Sequence, residues 1–147
     1  MFQFDLEAVL NYRVKMEEQC QVAFADSLKR LQAARDILEC LKNEKQDLIS
    51  HIVKMQEDAF HADMIQRHFA FIEFLKRKEE NQAAIICKME DESDAARQEL
   101  LEAVKKRKAL ETLREKRMAT YILEAAARDR KELDDLTIIK FANGIRK

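Results

Sequence analysis

A chain with no proline and a single glycine, Gly144, almost at its end has little with which to reverse direction. Sheets and α/β folds need a turn every dozen or so residues, built largely from glycine, proline and short polar side chains. Long helices are what remain. Charged residues make up 37% of the chain with the two signs nearly balanced, and Ala, Leu, Glu, Lys and Arg recur throughout, as in helices that share a narrow apolar seam. So polar a chain could instead be disordered, but 47% hydrophobic content and regular spacing argue against that. The 147 residues suffice for one domain or one extended hairpin and are too few for two ordinary globular domains.

The spacing is that of a coiled coil. From Leu6 and Leu10 through Arg13, Glu17, Cys20, Phe24, Ser27, Leu31, Ala34, Leu38, Leu41, Lys45, Leu48, Ile52 and Met55 to Ala59 and Ala62, the steps alternate between three and four. That is an a/d heptad seam, strongest from Leu31 to Met55 and interrupted by Arg13, Glu17 and Lys45. Polar residues on a seam weaken it and fix its register. Asp5 is placed to cap the first turn, with Phe4 and Val9 as a hydrophobic staple. A second seam opens at Ile65 and keeps step through His68, Ile72, Leu75, Glu79, Gln82, Ile86, Met89, Ser93, Ala96, Leu100, Ala103, Arg107 and Leu110. Beyond it the pattern shifts and weakens through Leu113, Arg117, Tyr121 and Leu133. Asn143-Gly144 has the chemistry of a helix stop.

Asp63 followed by Gln66 fits a capping box, so the reversal is expected near Gln56–Asp63. The predicted fold is all-α: one coiled-coil domain over 1–147, an antiparallel two-helix hairpin with helix 1 at about 5–58, a turn at about 56–64 and a longer helix 2 at about 64–141. At 1.5 Å per residue the arms would measure ~85 and ~115 Å, leaving the second to overhang by roughly 30 Å. Residues 1–63 carry 8 Lys+Arg against 12 Asp+Glu, a net of −4, and residues 64–147 carry 19 against 16, a net of +3. Arms of opposite sign weakly favour folding back. One uninterrupted helix pairing in a dimer is the alternative.

Chemistry of its own is not expected. A phosphate loop needs glycines the chain does not have. Cys20, Cys40 and Cys87 are odd in number and form no CxxC, which suits a reducing cytosol. His51, His61 and His68 are scattered, with His68 on the seam and the others expected to face water, so no metal, cofactor or catalytic site is predicted. The N-terminus has neither a basic region nor an apolar core of a leader, and no window is apolar enough to span a bilayer; a cytoplasmic protein is expected. Lys105–Lys108 with Arg114, Lys116 and Arg117 is interleaved with Glu102, Glu111 and Glu115 and lacks stacking aromatics, so it reads as a solvated face rather than a nucleic-acid site. Phe60, Phe69, Phe71 and Phe74 crowd the expected tip. Phe71 and Phe74 should lie beside the seam, either sealing the turn or forming a docking patch.

Three segments carry a family resemblance. The opening Phe4-Asp5-Leu6-Glu7-Ala8-Val9-Leu10-Asn11-Tyr12-Arg13 resembles the start of FliJ proteins. Ile65-Gln66-Arg67-His68-Phe69-Ala70-Phe71-Ile72-Glu73-Phe74-Leu75 is similar to that family's aromatic opening of the second helix. Leu110-Glu111-Thr112-Leu113-Arg114-Glu115-Lys116-Arg117, followed by Tyr121, Glu124 and Lys131-Glu132-Leu133-Asp134-Asp135, resembles its ending. The resemblance implies a non-enzymatic stalk-like coiled coil of the flagellar type III protein-export apparatus. It would meet a hexameric export ATPase (FliI-like), an export gate protein (FlhA-like) and export chaperones, touching membrane machinery only peripherally. The resemblance implies further that Leu6, Leu10, Leu133 and Leu136 face the ATPase, and that Leu41, Phe71, Phe74 and Leu75 match the gate-binding surface. The competing reading is a generic coiled-coil scaffold or adaptor, for example the equivalent stalk of a type III injection system.

Overall fold

The computed structural model describes residues 1–58 and 62–145. It contains two helices, α1 (Glu7–Asp58) of 52 residues and α2 (Ala62–Ile145) of 84 residues, and no strand among the described residues. Apart from its helical flanks, the expected turn falls on residues 59–61, outside those described, as do Ala59, Phe60 and His61. Contacts divide the chain into two units, one of residues 18–101 and one of residues 1–17 with 102–147.

In the unit of residues 18–101 the helices run antiparallel. Lys45 reaches Glu79 at 3.1 Å and Arg35 reaches Glu90 at 3.1 Å, so α2 descends as α1 ascends. The core follows the heptads. Leu31, Ala34 and Ile86 form a buried cluster with Leu38 and Met89 packed against it, and Ile52 of α1 with Ile72 and Leu75 of α2 are buried toward higher α1 and lower α2 numbers. Ser27 is buried on the seam without a loose polar atom, its hydroxyl donating to the Phe24 carbonyl at 2.7 Å. Gln82 donates from Nε2 to the Ala34 carbonyl at 2.9 Å. Every seam position read from Cys20 to Met55 and from Ile65 to Leu100 is buried or half-buried. Ala62, a seam position by its spacing, is exposed.

The unit of residues 1–17 and 102–147 is also antiparallel. Asp5 faces Arg117 at 3.8 Å, Glu7 meets Arg114 at 3.2 Å, and Glu17 pairs with Arg107. Phe4, Leu10 and Ala103 are its buried apolar residues, with Phe2 against Tyr121 at 5.6 Å between ring centres. Three local expectations are corrected here. Asp5 does not close the first turn; the Glu7 amide donates to the Phe4 carbonyl at 3.1 Å, and the Asp5 carboxylate turns outward to Arg117. Val9 is exposed rather than stapled to Phe4. Phe4 lies instead beneath the Arg117 guanidinium, 5.6 Å from its ring centre, because an arginine can cover an aromatic face while its charge stays in water. That leaves Arg117, a weak seam position by its spacing, exposed.

The helix ends differ as well. Ala62 is already helical, so Asp63 lies inside the first turn of α2, where a carboxylate suits the positive end of the helix dipole. At the other end α2 runs through Asn143 and Gly144 to Ile145. No glycine has a positive φ, so Gly144 does not form the left-handed cap that would stop a helix there.

Candidate partner-binding surfaces

Phe71 and Phe74 are three residues apart and therefore share one face of α2. Their ring centres lie 5.8 Å apart with the planes tilted by 32°, within the range where aromatic pairs attract. They remain 42% and 47% exposed, and the Lys78 ammonium sits 4.8 Å above the Phe74 ring. Phe69 is exposed on the opposite flank of the seam. Large aromatic surface held in water without a partner is the mark of a contact site.

Leu75 and Leu41 stand apart from that pair. Leu75 is 1% exposed, the most enclosed large side chain described, and acts as the packed floor next to Phe71 and Phe74 rather than as surface. Leu41 is half-buried on α1, one turn from Lys45. Since Lys45 pairs with Glu79, Leu41 lies on the far side of that ion pair from the two rings, roughly 12 Å along the helices from Phe74.

The four terminal leucines also separate. Leu6 and Leu10 belong to the seam at the start of α1, half-buried and buried respectively. Leu133 and Leu136 are exposed, beyond the stretch of α2 that meets the start of α1, where Glu7 pairs with Arg114. Phe2 already meets Tyr121, and Leu133 lies roughly 18 Å further along α2. From residue 126 to 145 every residue is exposed. The segment 136–145 carries one charged residue, Lys140; at 100° per residue its Leu136, Ile138, Ile139, Phe141 and Ile145 spread over roughly 220° of the helix surface, with Thr137, Lys140 and Gly144 on the remaining face.

Glu17 and Lys45, two of the polar positions that interrupt the first seam, have partners on α2. Glu17, almost fully buried, accepts from Arg107, which also donates to Glu111 at 2.7 Å. The two carboxylates, Glu111 first and Glu17 second, raise the already high proton affinity of Arg107, so this guanidinium keeps its charge throughout the physiological range. Lys45 and Glu79 form the matching pair in the other unit, their side chains 24% and 15% exposed. Both pairs join residues already on the two seam patterns. One antiparallel register of the two patterns sets Glu17 against Arg107 and Lys45 against Glu79 at once, although heptad spacing alone does not choose that register.

Among the described residues, no helix is long and apolar enough to cross a membrane. No curated protein sequence matches the chain. Among solved structures, a chain provisionally described as a YscO homolog from Chlamydia trachomatis has a TM-score of 0.51 at 20% identity, over 100% of this chain and 99% of that one. At that identity the likeness concerns the fold alone. The model of the flagellar FliJ protein family extends over residues 2–146, taking in both seams, the aromatic pair and the uncovered end of α2; this chain belongs to the FliJ family.

Proposed function

We propose that the chain is a non-catalytic stalk in which the uncovered end of α2 seats in a hexameric export ATPase and the Phe71–Phe74 face meets the export gate. As a FliJ-family protein it is a component of a type III protein-export apparatus. The observation that carries the finer reading is the apolar surface of residues 136–145, with Phe141 71% and Ile145 69% exposed. A helix with so broad an apolar face is comfortable only when most of it is covered. A flat partner would cover only part of that face, whereas the curved wall of a ring wraps most of it. Leu133 and Leu136 would enter with it; Leu6 and Leu10 would hold α1 against α2 below the socket. The Phe71–Phe74 pair and Lys78 present an aromatic and cationic surface suited to an acidic, apolar cleft on the gate, with Leu75 and Leu41 as packing support. Export chaperones would be escorted on exposed faces of the same helices, in the cytoplasm at the inner face of the export machinery.

The test is addition of the full chain, and of residues 1–125, to a purified FliI-like ATPase. The full chain should raise hydrolysis and hexamer formation, and the shortened chain should not. Stimulation by residues 1–125 equal to that of the full chain would refute the seating of α2. The uncovered end could alternatively pair with a second copy, as a scaffold would; a dimer in sedimentation that is lost on the same shortening would favour that reading.

A further inference from the structure

We propose that His51 and His68 form a two-imidazole site, reaching across from α1 to α2, for a first-row divalent cation such as Ni²⁺, Cu²⁺ or Zn²⁺. The two residues are 17 apart in sequence, yet their ring centres lie 5.6 Å apart at 83°. Nε2 of His68 is enclosed without a hydrogen-bond partner. A metal–nitrogen bond of about 2.0–2.1 Å puts the centres of two imidazoles on one cation about 5–6 Å apart, so the observed spacing suits a shared cation once the rings turn their nitrogens toward it. Imidazole nitrogen suits these borderline cations and not calcium or magnesium, which prefer oxygen.

The setting favours a clip rather than a catalytic centre. His68 occupies a seam position between Ile65 and Ile72, held half-buried, while His51 is exposed beside the buried Ile52. One ligand is thus fixed by packing, and the exposed His51 ring would have to swing aside to admit an ion, because His68 Nε2 is itself closed to solvent. Among the described residues no group of three or more His, Cys, Asp or Glu gathers in a way that could hold a metal, so water completes the coordination shell and the affinity is modest. Bound metal would tie α1 to α2 at this level and resist their separation, since a cation that binds only the folded pair stabilises it by mass action. The enclosed Nε2 would gain the partner it does not otherwise have.

The experiment is a thermal melt of the full chain, first stripped with chelator and kept reduced, with and without about 100 μM NiCl₂ or ZnCl₂. A rise of the midpoint by about 3–6 °C is expected, reversed by chelator and absent in His51→Ala, whose side chain packs little and whose fold should survive. His61→Ala should keep the full rise. With Cu²⁺, electron paramagnetic resonance should show hyperfine splitting from two imidazole nitrogens. No rise in the wild-type chain would overturn the proposal. So would a rise unchanged in His51→Ala, which would assign the metal to the cysteines or to other groups.

Discussion

Leu75 allows packing and partner binding to be separated by one substitution. The resemblance puts it with Phe71 and Phe74 on a binding surface, whereas the structure leaves it 1% exposed. Leu75→Ala removes three carbons, and at ~0.8 kcal/mol each the lost transfer energy is about 2.4 kcal/mol. A cavity term adds to this in deep cores. Here the seam is a single layer with water on both flanks, so neighbours and solvent can close the gap and the total should stay near the lower end, about 2.5–3 kcal/mol. For a chain of this size that corresponds to a midpoint lowered by roughly 10 °C. Phe74→Ala, at a position 47% exposed, should cost about 0.5 kcal/mol or less. The assay is a circular-dichroism melt beside a pull-down with an FlhA-like gate protein. Leu75→Ala should melt early, Leu75→Met should melt and bind nearly as the wild type does, and Phe74→Ala should melt normally while binding weakly. A Leu75→Ala midpoint within about 2 °C of wild type would refute the argument, because it would mean that Leu75 is not packed in solution. Normal binding by Phe74→Ala would remove the aromatic face from the gate interface.

The remaining predictions concern the polar seam positions and the uncovered end of α2. Lys45→Ala leaves Glu79 poorly solvated without its cation and should cost about 1–3 kcal/mol in denaturant melts; Lys45→Leu with Glu79→Leu should recover at least that much. Arg107→Glu sets a third carboxylate among Glu17 and Glu111 and should lower the melting midpoint. Adding Glu17→Arg should restore part of the loss, and a double variant no better than the single would show that the pair does not act across the helices. Removing residues 126–145 takes away no buried side chain, so the melt of residues 1–125 should match that of the full chain within about 2 °C. A larger fall would mean that this end of α2 packs on something within the chain.

Much of this fold was legible because a coiled coil writes its contacts locally. Steps of three and four decide which side of a helix is apolar, and the want of proline and glycine leaves the chain few places to bend. That is why the seam positions from Leu10 to Ile52 and from Ile72 to Ala103 could be named one by one. The end signals were less legible. Asp5 and Gly144 have the right chemistry for a cap and a stop, but the Asp5 carboxylate turns to Arg117, and Gly144 keeps a helical backbone without the positive φ of a stop.

The sequence by itself settled that the chain is helical, which faces are apolar, and that the second helix is the longer. Only the tertiary structure decided which residue on one helix meets which on the other, since heptad spacing says that a position faces a partner without saying at what height. Sliding α2 by one heptad would keep the apolar seam, yet it would separate Glu17 from Arg107, Lys45 from Glu79 and His51 from His68. It would also change how much of α2 is left uncovered. The residues that interrupt the seam therefore fix the register, and the register fixes which surfaces remain for partners.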